Sequence, residues 1–233
     1  LAGNGLRGIE NNINLEESGT SEVILAGCAK NYFVIPDKTY VIRGLTVGEA
    51  ARVDVMAGAV LLFQNNKSLQ VDGEINLLGT ENNAVVLKAE ENVYWGGINV
   101  YEKGVLSAEY VVVCDTKTDG MDVSGHANLL KCEIEAKGPT AVNIRNSGSV
   151  SMKESIAKGK YYAVEMDRGT GGVEIDSSTL VGGFSAVSIY KVDNAAICIS
   201  NSVLTGKNSY GVTIEGSGSF SITNNTFLNC DIY

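Results

Sequence analysis

The sequence predicts an all-β chain wound as a parallel β-helix, three short strands to a rung. Three observations lead there. The first is a repeat of about 21 to 25 residues that runs from Ile98 to the last residues. A fixed period of this size marks a solenoid. The second is an apolar pair flanking one outward residue, recurring as Ile98-Asn99-Val100, Met121-Asp122-Val123, Val142-Asn143-Ile144, Val164-Glu165-Met166, Val187-Ser188-Ile189 and Val212-Thr213-Ile214. This is the two-residue period of a strand with one buried face. The third is that further apolar positions follow without helical spacing. A second pair comes each time: Leu106/Ala108, Ala127/Leu129, Val150/Met152, Val173/Ile175, Ile197/Ile199 and Phe220/Ile222. A third position follows it at Val113, Ile134, Ala157, Leu180, Leu204 and Phe227. Each rung exposes its apolar inner face unless a neighbour stacks on it, so only the stack makes a core.

The elements can be justified in chain order. Leu6, Ile9 and Ile13 have helical spacing and precede polar Glu16, Glu17 and Ser18, so a short helix is expected to close the N-terminal end. Val23-Ile24-Leu25, Tyr32-Phe33-Val34 and Tyr40-Val41-Ile42 read as strands, with a turn at Pro36-Asp37. Residues 1–39 are thus expected to form a less regular cap and residues 40–233 the coil. Shorter rungs are expected through Val53/Val55, Leu69/Val71 and Val85/Leu87. Trp95 is expected to pack under a loop. Small residues precede the first pair at Gly97, Gly120, Ala141, Ala163, Ala186 and Gly211, where the chain must bend sharply into the strand. Cys132, Ser155, Ser178, Ser202 and Asn225 share one turn position and should line an inside corner. Gly169-Thr170-Gly171-Gly172 lacks the Lys-Ser/Thr of a phosphate loop and joins two strands, so it reads as a turn. No cap is recognisable after Phe227. Either more chain follows in the native protein or something else covers that end.

Two segments then carry a family likeness. Tyr94-Trp95-Gly96-Gly97-Ile98-Asn99-Val100 resembles the W-G-G-I segment of secreted and surface-anchored bacterial β-helix proteins. Ser68-Leu69-Gln70-Val71-Asp72-Gly73-Glu74-Ile75 and Leu78-Gly79-Thr80-Glu81-Asn82-Asn83 resemble their lead-in. From about Tyr40 onward the chain resembles the right-handed parallel β-helix repeat proteins of the pectate-lyase-like superfamily. That resemblance implies a right-handed coil and an extracytoplasmic place, secreted or anchored at the cell surface. The group holds lyases, hydrolases, adhesins and proteins without known activity, so it implies no single function.

Composition narrows the partners. A net charge of −9 argues against nucleic acid and anionic membrane surfaces. No apolar run approaches a membrane span. The chain opens at Leu1, which is compatible with a removed export signal or lipid anchor. Five cysteines cannot all pair, and one His without a CxxC pair excludes a structural zinc site. A polysaccharide or a cell-surface protein remains as the expected partner.

For chemistry, the resemblance directs attention to the outer face of one sheet, where pectate-degrading relatives carry their active residues. The corresponding outward columns here are Asn99, Asp122, Asn143, Glu165, Ser188, Thr213 and, beside it, Tyr101, Ser124, Arg145, Asp167, Tyr190, Glu215. Asp122 and Glu165 lie two rungs apart, about 9.6 Å at the strand spacing, near the upper end of the roughly 6.5–9.5 Å used by inverting glycosidases. Asp122, Arg145, Glu165 and Asp167 are therefore the candidate catalytic set for a polysaccharide lyase or glycoside hydrolase. The polygalacturonase and pectin-esterase patterns are absent: Gly125-His126-Ala127 departs from G-H-G, and there is no D-D pair. No metal site is expected, and no cofactor, except calcium if a lyase reading holds. Tyr101, Asn143, Arg145, Glu165 and Tyr190 form the candidate ligand-binding set, since aromatic faces cover sugar CH groups while amide, guanidinium and carboxylate groups meet hydroxyls. The leading expectation is a non-catalytic scaffold or carbohydrate-binding surface. A lyase or hydrolase and a protein-binding adhesin are the alternatives.

Overall fold

A computed structural model describes residues 12–17, 23–207 and 210–230, with the side chains of 12–17 left aside. The described chain is a parallel β-solenoid of about eight turns, and no helix occurs among the described residues. Strands stack into three parallel ladders. The first sheet holds the second half of β2 (Val23–Ala29) and of β4 (Thr39–Val47), then β7 (Leu69–Val71), β10 (Ile98–Val100), β13 (Met121–Val123), β16 (Thr140–Ile144) and β19 (Tyr162–Asp167). It ends with the first parts of β22 (Ser185–Ser200) and β24 (Tyr210–Thr223). The second sheet runs β3 (Phe33–Ile35), β5 (Arg52–Met56), β8 (Glu74–Leu78), β11 (Val105–Glu109), β14 (His126–Leu130), β17 (Ser149–Lys153) and β20 (Gly172–Asp176), then the later parts of β22 and β24. The third starts from the first parts of β2 and β4. It continues through β6 (Val60–Phe63), β9 (Val85–Ala89), β12 (Val111–Thr116), β15 (Glu133–Ala136), β18 (Ile156–Gly159), β21 (Thr179–Gly182), β23 (Val203–Gly206) and β25 (Thr226–Leu228).

Inside, the register matches the sequence columns. Ile98, Met121, Val142, Val164 and Val187 stack directly and are buried. Leu106, Ala127, Val150, Val173 and Ile197 do the same on the second sheet, and Val113, Ile134, Ala157, Leu180 and Leu204 on the third. Burial of one such side chain is worth roughly 1.5–3 kcal/mol. The inside corner is a hydrogen-bonded ladder. The amide of Cys132 donates to Ser155 Oγ (3.0 Å), that of Ser155 to Ser178 Oγ (3.1 Å), that of Ser178 to Ser202 Oγ (3.1 Å) and that of Ser202 to Asn225 Oδ1 (2.8 Å). The residue before each ladder member lies in the left-handed region, at Lys131, Glu154, Ser177, Asn201 and Asn224. That conformation turns the corner in one step, and the polar side chain satisfies the backbone the turn would leave bare.

Two expectations for the first part are corrected. Leu6 and Ile9 lie outside the described residues, but Ile13, Glu16 and Glu17 belong to a strand, β1 (Asn12–Glu17), and not to a helix. β1 pairs antiparallel with β2 along its whole length. A hairpin satisfies the free edge of β2 with backbone hydrogen bonds, which a helix laid over it would not. The pairs Val53/Val55, Leu69/Val71 and Val85/Leu87 are buried as expected, yet they fall on the second, first and third sheets and do not mark shorter rungs. The rung from Leu69 to Ile98 is longer than that from Ile98 to Met121, because the turn 79–84 before β9 is longer than its counterpart and a further insertion, 90–97, follows β9.

Trp95 anchors that insertion from inside the coil. It is fully buried, stacked on Phe63 at 4.1 Å, and its Nε1 donates to Cys114 O at 2.6 Å. Of the two glycines after it, Gly97 is required and Gly96 leaves room for Ser68. A Cβ at Gly96 would strike Ser68 Oγ, and Gly97 has a φ of +77° with the Asp119 carbonyl where a Cβ would go.

Candidate functional site

On the outer face of the first sheet, Asn99, Asp122, Asn143, Glu165 and Ser188 stand in register on successive strands, β10 to β22. The structure brings three of the four candidate catalytic residues close together. Arg145, just beyond β16, donates from Nε to both oxygens of Asp122 at 2.7 Å. Glu165, one strand beyond Asn143, accepts the Thr140 hydroxyl at 2.8 Å. Asp167 pairs elsewhere, with its neighbour Arg168 at 2.8 Å, and its other oxygen is buried without a partner.

Two residues that strand alternation did not indicate complete the group. Asp119 sits in the turn before β13, where inside–outside alternation does not apply. Its carboxylate accepts from Asn143 Nδ2 at 2.9 Å and from the Thr140 amide at 3.2 Å, and lies 3.8 Å from Arg145. Thr140 opens β16 and is fully buried. The only sequence signal for either was an acidic residue and a hydroxyl in equivalent turn positions of consecutive rungs.

Electrostatics follow from this crowding. Burial raises the Glu165 carboxyl above its ordinary value; the Thr140 hydrogen bond opposes this, while the charges of Asp119 and Asp167 add to it. Burial likewise raises Asp122, and Arg145 offsets it only in part. Both are therefore better proton holders than exposed carboxyls.

The candidate binding residues divide. Tyr101, just after β10, and Tyr190, in β22, are 42% and 41% exposed. The Lys191 ammonium lies over the Tyr190 ring, 4.8 Å from its centroid. Arg145 is exposed but tied to Asp122, and Asn143 is buried beneath Asp119 and its neighbours. His126 opens β14 on the second sheet, away from this face, and shares a hydrogen bond with Ser149.

Calcium takes six to eight oxygens. The carboxylates here are committed to Arg145, Thr140 and Asn143, and no group of three or more His, Cys, Asp or Glu among the described residues is placed to hold a metal ion. The face does not fit a calcium site. All five cysteines are unpaired. Burial pushes the thiols of Cys114 and Cys132 up to about 11.

The chain belongs to the right-handed β-helix family: the family model described as "Right handed beta helix region" matches residues 96–233. No curated protein matches it by sequence. Among solved structures, a mutant form of the periplasmic alginate epimerase AlgG is similar over 92% of this chain and 80% of its own, with 10% identity and a TM-score of 0.49. The same epimerase without a mutation gives a TM-score of 0.47 at the same identity and coverage.

Proposed function

We propose that the chain is a non-catalytic, extracytoplasmic β-helix that offers the outer face of its first sheet to a polysaccharide. The observation that supports this reading is that the groups suited to catalysis are spent on one another. Both Asp122 oxygens are held by Arg145, and Glu165 is held by Thr140. A general acid or base must reach the reacting atom of the substrate, and these would first have to release their partners. Tyr101 and Tyr190 stay open at the edge of the same sheet. A ladder repeating about every 4.8 Å sets outward side chains at a regular spacing along a bound polymer. The extracytoplasmic place rests on the family resemblance. The raised thiols of half-buried Cys114 and buried Cys132 are consistent with it, since the thiolate is the species that oxidises.

A second reading has one observation behind it. Glu165 and Asp122 both hold protons more tightly than ordinary carboxyls, as a glycosidase acid must. In that reading Glu165 protonates the leaving oxygen and Asp122, freed from Arg145, activates water.

The test is affinity measurement against neutral and acidic polysaccharides for the parent and for Tyr101→Ala/Tyr190→Ala. The proposal expects binding by the parent and a loss of about tenfold or more in the double variant, ~1.4 kcal/mol per decade, with an unchanged melt. Unchanged binding in the variant, or none by the parent, removes this face as the site.

A further inference from the structure

A groove of about 890 Å³ lies on the outer face of the third sheet, within the ~300–1,000 Å³ range of small-molecule clefts. Its floor is apolar: Val41 of β4 and Leu62 of β6, adjacent in register. One wall is the inserted segment after β9, which brings Glu91, Asn92 and Tyr94 over that floor. Lys88 of β9 follows Leu62 in register on the same face, and Asp115 also lines the groove.

Three features separate this groove from a casual surface depression. The wall is fixed. Trp95 is sunk in the core against Phe63, its amide donates to Asp115 O (3.2 Å), the Lys117 amide donates to Trp95 O (2.7 Å), and the Asn66 amide to Tyr94 O (3.0 Å). A wall held this way costs little ordering when a ligand arrives. Its aromatic is presented outward: while Trp95 is fully buried, the adjoining Tyr94 is 50% exposed. Its charges are free of ion pairs, although Asp115 accepts from the Cys114 thiol at 3.5 Å. No ion pair involves Lys88, Glu90, Glu91 or Asp115 among the described residues, the reverse of the first sheet.

We propose that this groove is a second binding site, separate from the first-sheet face and independent of it, and that it takes a short uncharged oligosaccharide. A ring beside an aliphatic floor suits the CH face of a pyranose. The rim supplies donors and acceptors together, with Lys88 and Asn92 donating and Glu91, Asn92 and Asp115 accepting, and sugar hydroxyls need both at once. Carboxylates outnumber the single ammonium, so a polyuronate or a phosphorylated ligand is repelled.

Nitrogen–proton correlation spectra of the whole chain, titrated with cellohexaose, xylohexaose, mannohexaose and hexagalacturonate in turn, test the proposal. At least one uncharged hexaose should move the amides of Val41, Leu62 and Glu91 to Tyr94 saturably. Tyr94→Ala should weaken that binding about tenfold or more, and Tyr94→Phe should keep it within a factor of about two. The same shifts should persist in Tyr101→Ala/Tyr190→Ala, so failure of the first-sheet reading leaves this one standing, and the converse. Silence of these amides toward every uncharged hexaose overturns the proposal. So does equal binding of hexagalacturonate, insensitivity to Tyr94→Ala, or saturable shifts of these amides by hexalysine in place of sugar.

Discussion

The coils before Trp95 and those after it are built from the same strands but solve the interior differently. The early coils fill their centre with bulky aromatics, Phe33, Tyr40, Phe63 and Trp95, all buried. They leave the buried Tyr40 hydroxyl without a partner and hold one local polar network, in which Asp54 accepts from Tyr32 Oη (2.8 Å), Asn76 Nδ2 (2.8 Å) and Arg52 Nε (3.2 Å). The later coils use columns of aliphatic residues and methionine, free of buried rings, and a serine ladder that passes one hydrogen bond from rung to rung. On the outer face of the first sheet in these later coils, Asp122 pairs with Arg145 and Glu165 accepts from Thr140. Uneven rungs carry an insertion, and a concavity of about 890 Å³ lies beside it, against one of about 420 Å³ on the later coils.

Several changes would sharpen or break this contrast. The largest effect is expected in the late columns. Val187 is fully buried between Val164 and Val212, and Val187→Asp should abolish the folded state, because an unpaired buried carboxylate costs several kcal/mol. The neighbouring Ser188→Asp should be nearly neutral. Circular dichroism melts showing the reverse order would invalidate the register. Next comes the ladder. Ser178→Ala removes the acceptor of the buried Ser155 amide, a loss of about 1–3 kcal/mol, hence a melting point lower by several degrees. A melt unchanged by this substitution would show that the ladder is incidental.

The two polar groups should respond to pH with opposite sign. Burial pushes the Asp54 carboxyl up, but the hydrogen bonds from Asn76, Tyr32 and Arg52 outweigh it and leave it below its ordinary value. Its stabilisation is therefore present above the ordinary carboxylate range and fades only as pH falls through the lowered folded value. Asp54→Asn should cost about 1–2 kcal/mol at neutral pH and progressively less in acid. Glu165 is raised, chiefly by burial. The folded chain holds that proton longer than the unfolded one, so stability declines as pH rises from the unfolded toward the folded value. Glu165→Gln should slightly stabilise at pH 7, by less than Ser178→Ala destabilises, and the gain should vanish in acid. Urea titrations across the acid range read both signs. The smallest change is chemical: the exposed Cys198 should react with a thiol reagent well before the buried Cys132, and equal rates would mean that the later coils open readily.

The contrast also explains what the sequence could convey. From Ile98 onward each column repeats one kind of side chain, so Val164, Val187 and their partners announce the inner face. Cys132 could be assigned with the serines because stacking gives every member of a column the same surroundings. Column logic fails where stacking does not govern. Asp119 lies in a turn, so nothing in the alternation pointed it toward Asn143. Tyr94 looked like a lead-in to Trp95; only the burial of the indole on Phe63 turns the phenol outward over a groove. The β1–β2 hairpin runs antiparallel, outside the repeat altogether, and three apolar residues at helical spacing were too few to distinguish it from a helix.

The central claim is that the first-sheet carboxylates are structural, and depolymerisation tests it most directly. Acidic and neutral polysaccharides would be incubated with the chain, with and without calcium, and assayed for new reducing ends and unsaturated products. The account predicts no cleavage in any mixture, with glycan binding retained. Cleavage by the parent that disappears in Glu165→Gln, a substitution that keeps the Thr140 hydrogen bond and the fold, would contradict it.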